Sequence, residues 1–464
     1  MDNITLTSAS SLADSIRNKT VSCEEVVRAH LDRIEAVNPT LNAVVQLRDE
    51  AALAEARAAD ASIARGEQIG PLHGVPMTIK DSIDTQGVIT TGGTQGRASF
   101  VPEKDATVAA RLRQAGAILM GKTNTPELTL AGETDNLVYG RTNNPFDPLL
   151  TPGGSSGGAA AIVASGGSPF DLGSDTGGSI RQPAHYCGIV GCKPTTGRVP
   201  CTGHIASYDL GVVSEFTQIG PLARSVEDIC LILPIIAGPD WRDPSVVDMP
   251  FGDADAVNLA ELRGAYYTDN RIVTPTPEIA QAVRHAVDLL GEVGVSLKED
   301  LPEPAATTGD LWRDLLVADG GAWIRRMLDE AGTTQAHPLL VDRFLKGDQI
   351  TAAEYTAMLS EVARVRSTML GFIASYDFII CPTNAFAAQP HGQNAARGDG
   401  YSYTRIYNLT GWPAIVIRGG TSPEGLPFGL QIVARPWRED VAFAVAAHLE
   451  KALGAWQGPL DNGR

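Results

Sequence analysis

At 464 residues, with 43% hydrophobic and 20% charged side chains, the chain has the composition of a folded globular protein with ample material for a core. Its formal net charge of −17 opposes binding to nucleic-acid phosphates or anionic lipid, and no basic cluster reverses this locally. Six cysteines, none in a C-x-x-C pair, are too few for a disulfide scaffold and point to a reducing, cytoplasmic setting.

The first residues lack the basic start and apolar run of a secretory signal, and no later stretch supplies the roughly 18 uncharged apolar residues of a membrane span. Ser22 followed by Glu25 is a capping-box pattern, and Val27, Leu31 and Ile34 then recur at helical spacing until Asn38 and Pro39. Glu50 to Arg65 reads as a second, alanine-rich helix. "GVPMTIKD" (Gly74 to Asp81) predicts a buried strand that ends at Lys80, and "ATVAARLRQAGAILMGKTN" predicts helix, turn at Gly116, then strand.

"NNPFDPLLTPGGSSGG" is a shaped loop, followed by a small-residue helix, "AAAIVASG". From Asp240 to Asn258 the chain reads as an irregular acidic loop, and Pro277 to Ser367 as mostly amphipathic helix. Strand patterns return at Tyr376 to Thr383, Pro413 to Gly419 and Gly429 to Ala434, before a last helix from Glu439 to Leu453. The expectation is one domain over 1–464, a catalytic core over 70–230, and an inserted, mainly helical region over 235–370 that lies outside the core and builds the substrate pocket.

Two short motifs are decoys. Gly116 to Thr123 satisfies the phosphate-loop pattern, but its four intervening residues are apolar, a strand interior, and no helix follows Lys122. Gly153 to Gly157 satisfies G-x-S-x-G, but no strand precedes it. His204, His285, His337, His391 and His448 sit in no recognisable acid–histidine setting, and His73 and His185 read as structural.

Lys80, Ser155 and Ser179 form a third constellation. The block from Gly153 to Pro200, "GGSSGGAAAIVASGGSPFDLGSDTGGSIRQPAHYCGIVGCKPTTGRVP", closely resembles the amidase signature family of serine hydrolases. The likeness continues through "PLHGVPMTIKD", "GAILMGKTNTPEL", "ETDNLVYGRTNNPFD", "QIGPLARSVEDI", "YNLTGWPAIVI" and "GLPFGLQIVARPWRED", and spares only about 235–370. It implies an α/β fold, a large mixed β-sheet covered by helices on both faces. It also implies a triad in which Ser179 is the nucleophile, Ser155 the serine after a cis peptide bond, and Lys80 the base.

The residue types suit that chemistry. A free lysine, pKa about 10.4, is almost wholly protonated at neutral pH, so Lys80 must be desolvated before it can accept a proton. Ser155, which both donates and accepts, can relay the proton of Ser179 to Lys80 and back to a leaving amine. Thr176, Gly177, Gly178 and Ser179 have the composition of an oxyanion hole, because glycines let successive N–H groups converge. Asp175 and Arg181 are expected to pair across this loop, and Ser156 to hydrogen-bond locally.

Thr129, Leu130, Ala131 and Gly132 fall where the resemblance places part of the acyl pocket. In the region 235–370, Trp312, Trp323 and Phe344 are candidate walls, although core packing is the commoner fate of such aromatics. The expected activity is hydrolysis of a carboxylic amide, with esters, anilides and aryl carbamates (urethanes) as further substrates. No metal and no cofactor are expected. The expected partners are a small-molecule amide and water, without nucleic acid or membrane, the chain acting as monomer or homodimer. The alternative within the family is the A-type glutaminase component of an amidotransferase that acts on charged tRNA.

Overall fold

In the computed structural model, which describes residues 4–394, 396–454 and 456–459, Ser22 and Glu25 cap each other at the start of a helix over Cys23–Leu41. That helix continues past Pro39, because a proline in the last turn forfeits a single backbone bond. The Asn38 side chain secures the end by accepting the Ala43 and Val44 N–H groups, at 2.8 Å each. A second helix spans Asp49–Ala64.

Eleven strands form one sheet: β1 (Val44–Leu47), β2 (Pro76–Lys80), β3 (Ile118–Thr123), β4 (Phe170–Asp175), β5 (Val190–Lys193), β6 (Gln218–Ala223), β7 (Arg263–Tyr266), β8 (Ser296–Glu299), β9 (Phe378–Pro382), β10 (Ala414–Thr421) and β11 (Pro427–Ala434). Their spatial order is β1-β3-β2-β4-β6-β5-β10-β11-β9-β7-β8. Pairing is mixed. β2 lies parallel between β3 and β4, the central strands from β4 to β9 alternate antiparallel, and β9, β7 and β8 run parallel.

Side chains along a strand alternate between faces, and here they feed two cores. Phe378 and Ile380 of β9 join the core that includes the helix Gly157–Ala164, whereas Ile379 and Cys381 join one built with Trp312, Trp323 and Phe344. Helices therefore cover both faces of the sheet, as the resemblance implies.

The region 235–370 contributes more than helices. β7 and β8 extend the sheet beyond β9, and Ile279, Val283 and Ala286 of the helix Pro277–Glu292 are buried in the first core. The expectation that this region lies outside the core does not hold for that part. Both strands are four residues long, with β8 exposed, so they carry little of the apolar alternation by which strands are read. Among the described residues no helix is long and apolar enough to cross a membrane, and no cluster of His, Cys, Asp or Glu is placed to hold a metal ion.

Candidate active site

β2 ends at Lys80, whose side chain is wholly buried. Three hydroxyls surround its amine: Ser155 Oγ at 2.7 Å, Ser156 Oγ at 3.0 Å and Ser174 Oγ at 3.0 Å. Ser174 belongs to β4, the parallel neighbour of β2, while Ser155 and Ser156 close the loop before the helix Gly157–Ala164. The Gly154–Ser155 peptide is cis. Burial pushes the Lys80 ammonium down to about 7, against the pull of Asp175 and Asp171 in the other direction. The lysine is thereby poised between its charged and neutral forms near neutral pH.

Ser179 follows β4 in the turn before the helix Arg181–Cys187. It is partly exposed, and its carbonyl accepts the Ser156 N–H at 3.1 Å, which ties the two serine segments together. Its hydroxyl is not hydrogen-bonded to Ser155. It lines a cavity together with Thr129, Leu130, Ala131 and Gly132 and with Trp312, Phe344, Arg343, Tyr401 and Arg405. Trp323 is not in this wall; it is buried in the second core, where its Nε1 donates to the Leu316 carbonyl at 2.9 Å.

The loop before Ser179 is held by its carbonyls. Trp312 Nε1 donates to Thr176 O at 2.9 Å, Thr404 Oγ1 to Gly177 O at 2.7 Å, and Gln182 N–H to Gly178 O at 2.7 Å. In a trans peptide the N–H points opposite to its C=O, so these bonds aim the following N–H groups. Those of Gly177 and Ser179 have no partner among the described residues, and both residues line the cavity. Gly178 differs from its assigned place in an oxyanion hole: its N–H donates to Asp175 Oδ1 at 2.7 Å. The short carboxylate beneath the turn captures that donor before any substrate can.

Asp175 and Arg181 form a fully buried two-pronged pair, Nε to Oδ2 and Nη2 to Oδ1, each 3.0 Å. Burial alone would raise the Asp175 carboxyl, but the Arg181 charge and hydrogen bonds, with Asn408, hold it well below the usual carboxylate range. The other guanidinium N–H groups reach Thr404 O, Gln431 Oε1 and Asn408 Oδ1, at 3.0, 2.6 and 2.6 Å. The pair therefore anchors the turn to the β11 side of the sheet.

The decoy motifs resolve structurally. Lys122 lies inside β3 and donates to Thr85 Oγ1 at 2.7 Å and Thr90 Oγ1 at 3.1 Å. His185 is locked between Phe386 O, 2.9 Å from Nε2, and the Gly429 N–H, which donates to Nδ1 at 2.9 Å.

Sequence reasoning missed Ser174, Tyr401, Arg343, Arg405 and His204. Ser174 carries a visible signal, since it sits in "GSD" beside the turn. The others come from distant segments and have none. Tyr401 Oη donates to Gly132 O at 2.8 Å and Gly154 O at 3.2 Å, bracing the pocket against the loop that bears Ser155.

The profile of the amidase family matches residues 25–442. The chain belongs to the amidase signature family. It is 37% identical to a Moorella thermoacetica protein named as the A-type component of glutamyl-tRNA(Gln) amidotransferase, over 96% of each chain. Among solved structures it resembles fatty acid amide hydrolase (TM-score 0.88, 26% identity, 97% of this chain and 86% of that one). It also resembles 6-aminohexanoate cyclic dimer hydrolase (TM-score 0.88, 29% identity, 98% and 99%). As an amidase it is an enzyme of C–N bonds.

These relatives correct one expectation. A small-molecule enzyme without nucleic acid, working as monomer or homodimer, is at odds with relatives from several organisms that are named as one subunit of a tRNA-dependent amidotransferase. Net charge does not foretell such relatives, because it sums over the whole surface of a single chain.

Proposed function

We propose that this amidase cleaves a carboxylic amide C–N bond through an acyl-enzyme on Ser179. The observation that carries the reading is the wholly buried Lys80 amine 2.7 Å from Ser155 Oγ. In the first half-reaction Ser179 Oγ attacks the carbonyl carbon. Its proton passes to Ser155, while the proton of Ser155 passes to Lys80. The N–H groups of Gly177 and Ser179 receive the developing oxyanion. Collapse breaks the C–N bond, the leaving nitrogen takes the proton back through Ser155, and water then cleaves the acyl-enzyme by the same relay. The Ser179–Ser155 hydrogen bond forms as substrate fills the cavity; such bonds are commonly long before substrate binds.

The curated relatives favour glutamine as the amide, the chain being an A-type amidotransferase component whose released ammonia serves the amidation of glutamyl-tRNA. The test is ammonia release from glutamine, and transfer to glutamyl-tRNA, by the chain combined with the partner subunits of a relative. Lack of both would remove this reading.

The cavity lining favours a second reading of the substrate. Among the described residues it contains Arg343 and Arg405 but no carboxylate to meet the ammonium of glutamine. Arg405 is 5% exposed, pairs with Asp399, and its Nε has no hydrogen-bond partner among the described residues. An amide, anilide, ester or aryl carbamate that carries an acceptor oxygen and no ammonium suits that wall. A panel of glutamine, a dicarboxylic monoamide, a nitroanilide, an ester and an aryl carbamate separates the two by their kcat/KM values.

A further inference from the structure

His204 is drawn to the end of β2 by a short return of the chain. Ile83 and His204 form an antiparallel bridge, Asp84 N–H donates to Gly203 O at 2.8 Å, and Ile205 N–H to Ser82 O at 2.8 Å. Gly203 has φ +85°, and a Cβ there would come 2.6 Å from Ala106 Cα, so glycine permits the approach. The result sets His204 Nε2 3.0 Å from Ser174 Oγ, the third hydroxyl on Lys80, and 3.0 Å from Ser82 Oγ. The ring is buried, and burial pushes its imidazolium down to about 3, so it works as a neutral group.

A neutral lysine amine has two N–H groups and one lone pair. To take the Ser155 proton, the lone pair must face Ser155 Oγ, and the N–H groups must go to Ser156 and Ser174. Ser156 is fixed as an acceptor, because its own proton goes to Ser174 O at 3.2 Å. Among the described residues Ser174 Oγ bonds only to Lys80 and His204. His204 Nε2, which Ser82 Oγ also reaches, is therefore the acceptor besides Lys80 that is open to the Ser174 proton.

We propose that His204 is a positioning residue for the Lys80 base, acting through the Ser174 hydroxyl. With its ring proton on Nδ1, given to Ala206 O at 3.0 Å, the bare Nε2 accepts from Ser174. Ser174 then accepts from Lys80, and the lysine lone pair is left for Ser155. With the ring proton on Nε2, and Nδ1 accepting the Ala206 N–H at 3.1 Å, the Ser174 proton turns to the lysine and competes with Ser155. One tautomer aims the base; the other blocks it. This rests on the Lys80–Ser155–Ser179 reading above.

The test is a double-mutant cycle on a 4-nitrophenyl ester and a 4-nitroanilide, with His204→Phe, His204→Gln, Ser174→Ala and the His204→Phe/Ser174→Ala pair. His204→Phe is expected to lower kcat by roughly tenfold or more with KM within about twofold, less than the roughly 10²–10⁴ of losing a general base outright, because the lysine itself remains. His204→Gln, whose carboxamide oxygen can replace Nε2 as acceptor, restores most of the loss. His204→Phe adds nothing in the Ser174→Ala background. Wild-type kcat in His204→Phe, or an equal loss in both backgrounds, overturns the inference. Should the variants fold poorly, the nitrogen NMR shifts of His204 in the unaltered protein decide it: a proton on Nδ1 supports the proposal and a proton on Nε2 overturns it. Ser179→Ala separates the two levels, since turnover retained there removes the underlying reading, whereas turnover lost there with His204→Phe unimpaired removes the inference alone.

Discussion

Lys80 Nζ and Ser155 Oγ meet at 2.7 Å in a wholly buried site although 75 positions separate them in the chain. The contact joins the end of a strand to the start of a small-residue helix, and it brings an amine and a hydroxyl together away from water. The proposed relay depends on both features, proximity and desolvation.

Ser179→Ala is expected to abolish turnover and covalent acyl-enzyme formation with an activated ester, leaving the fold intact. Mass spectrometry of quenched enzyme reads the adduct. Substantial turnover in this variant would refute Ser179 as the nucleophile.

On the proposed relay Lys80 takes its proton in the neutral form, so kcat/KM is expected to rise with pH through an inflection near the lowered lysine value of about 7 and then level. Lys80→Met is expected to lose on the order of 10²–10⁴ in kcat and the inflection with it. A profile identical to that of the unaltered protein would exclude the relay. Stability carries the same sign. Between about 7 and the ordinary 10.5 the unfolded chain binds this proton more tightly than the folded one, so wild-type stability relative to Lys80→Met falls as pH is lowered through that window. Denaturant melts across it measure the trend.

Asp175→Asn and Arg181→Met each leave one half of a buried pair without its partner, and each is expected to cost about 3–5 kcal/mol. The effect appears as a lower unfolding midpoint. A loss within experimental error would show that the turn is held without the pair.

Gly177→Ala would place a Cβ 2.6 Å from Trp312 Cζ2, at a cavity-lining residue whose N–H has no partner among the described residues. Losing one oxyanion donor typically costs about 2.7–4 kcal/mol, so kcat should fall by roughly two to three orders of magnitude. Unchanged kcat in Gly177→Ala would show that this N–H is not an oxyanion donor.

Arg405→Met is expected to lower kcat/KM more for a dicarboxylic monoamide than for an unsubstituted aliphatic amide, because the arginine lines the cavity and gives that wall its positive charge. Equal losses on both substrates would argue for a structural role through Asp399 alone.

Much of this protein is legible in local pattern. The Ser22–Glu25 cap, the apolar run into Lys80 and the three late strands are dictated within a few residues, by hydrogen-bonding reach and strand alternation. The small-residue turn from Thr176 to Ser179 also announces itself by composition, because only such residues allow a backbone that tight. Tertiary structure alone decided what each group faces. Gly178 was set apart from its neighbours by the Asp175 carboxylate below it, and Trp312 from Trp323, its companion in the second core, by reaching the cavity wall. His204 shows the limit most clearly. Nothing in "PCTGHIASY" marks a histidine near a base, since its contact with Ser174 exists only because the sheet places β4 beside β2 and a glycine lets the chain fold back over their ends.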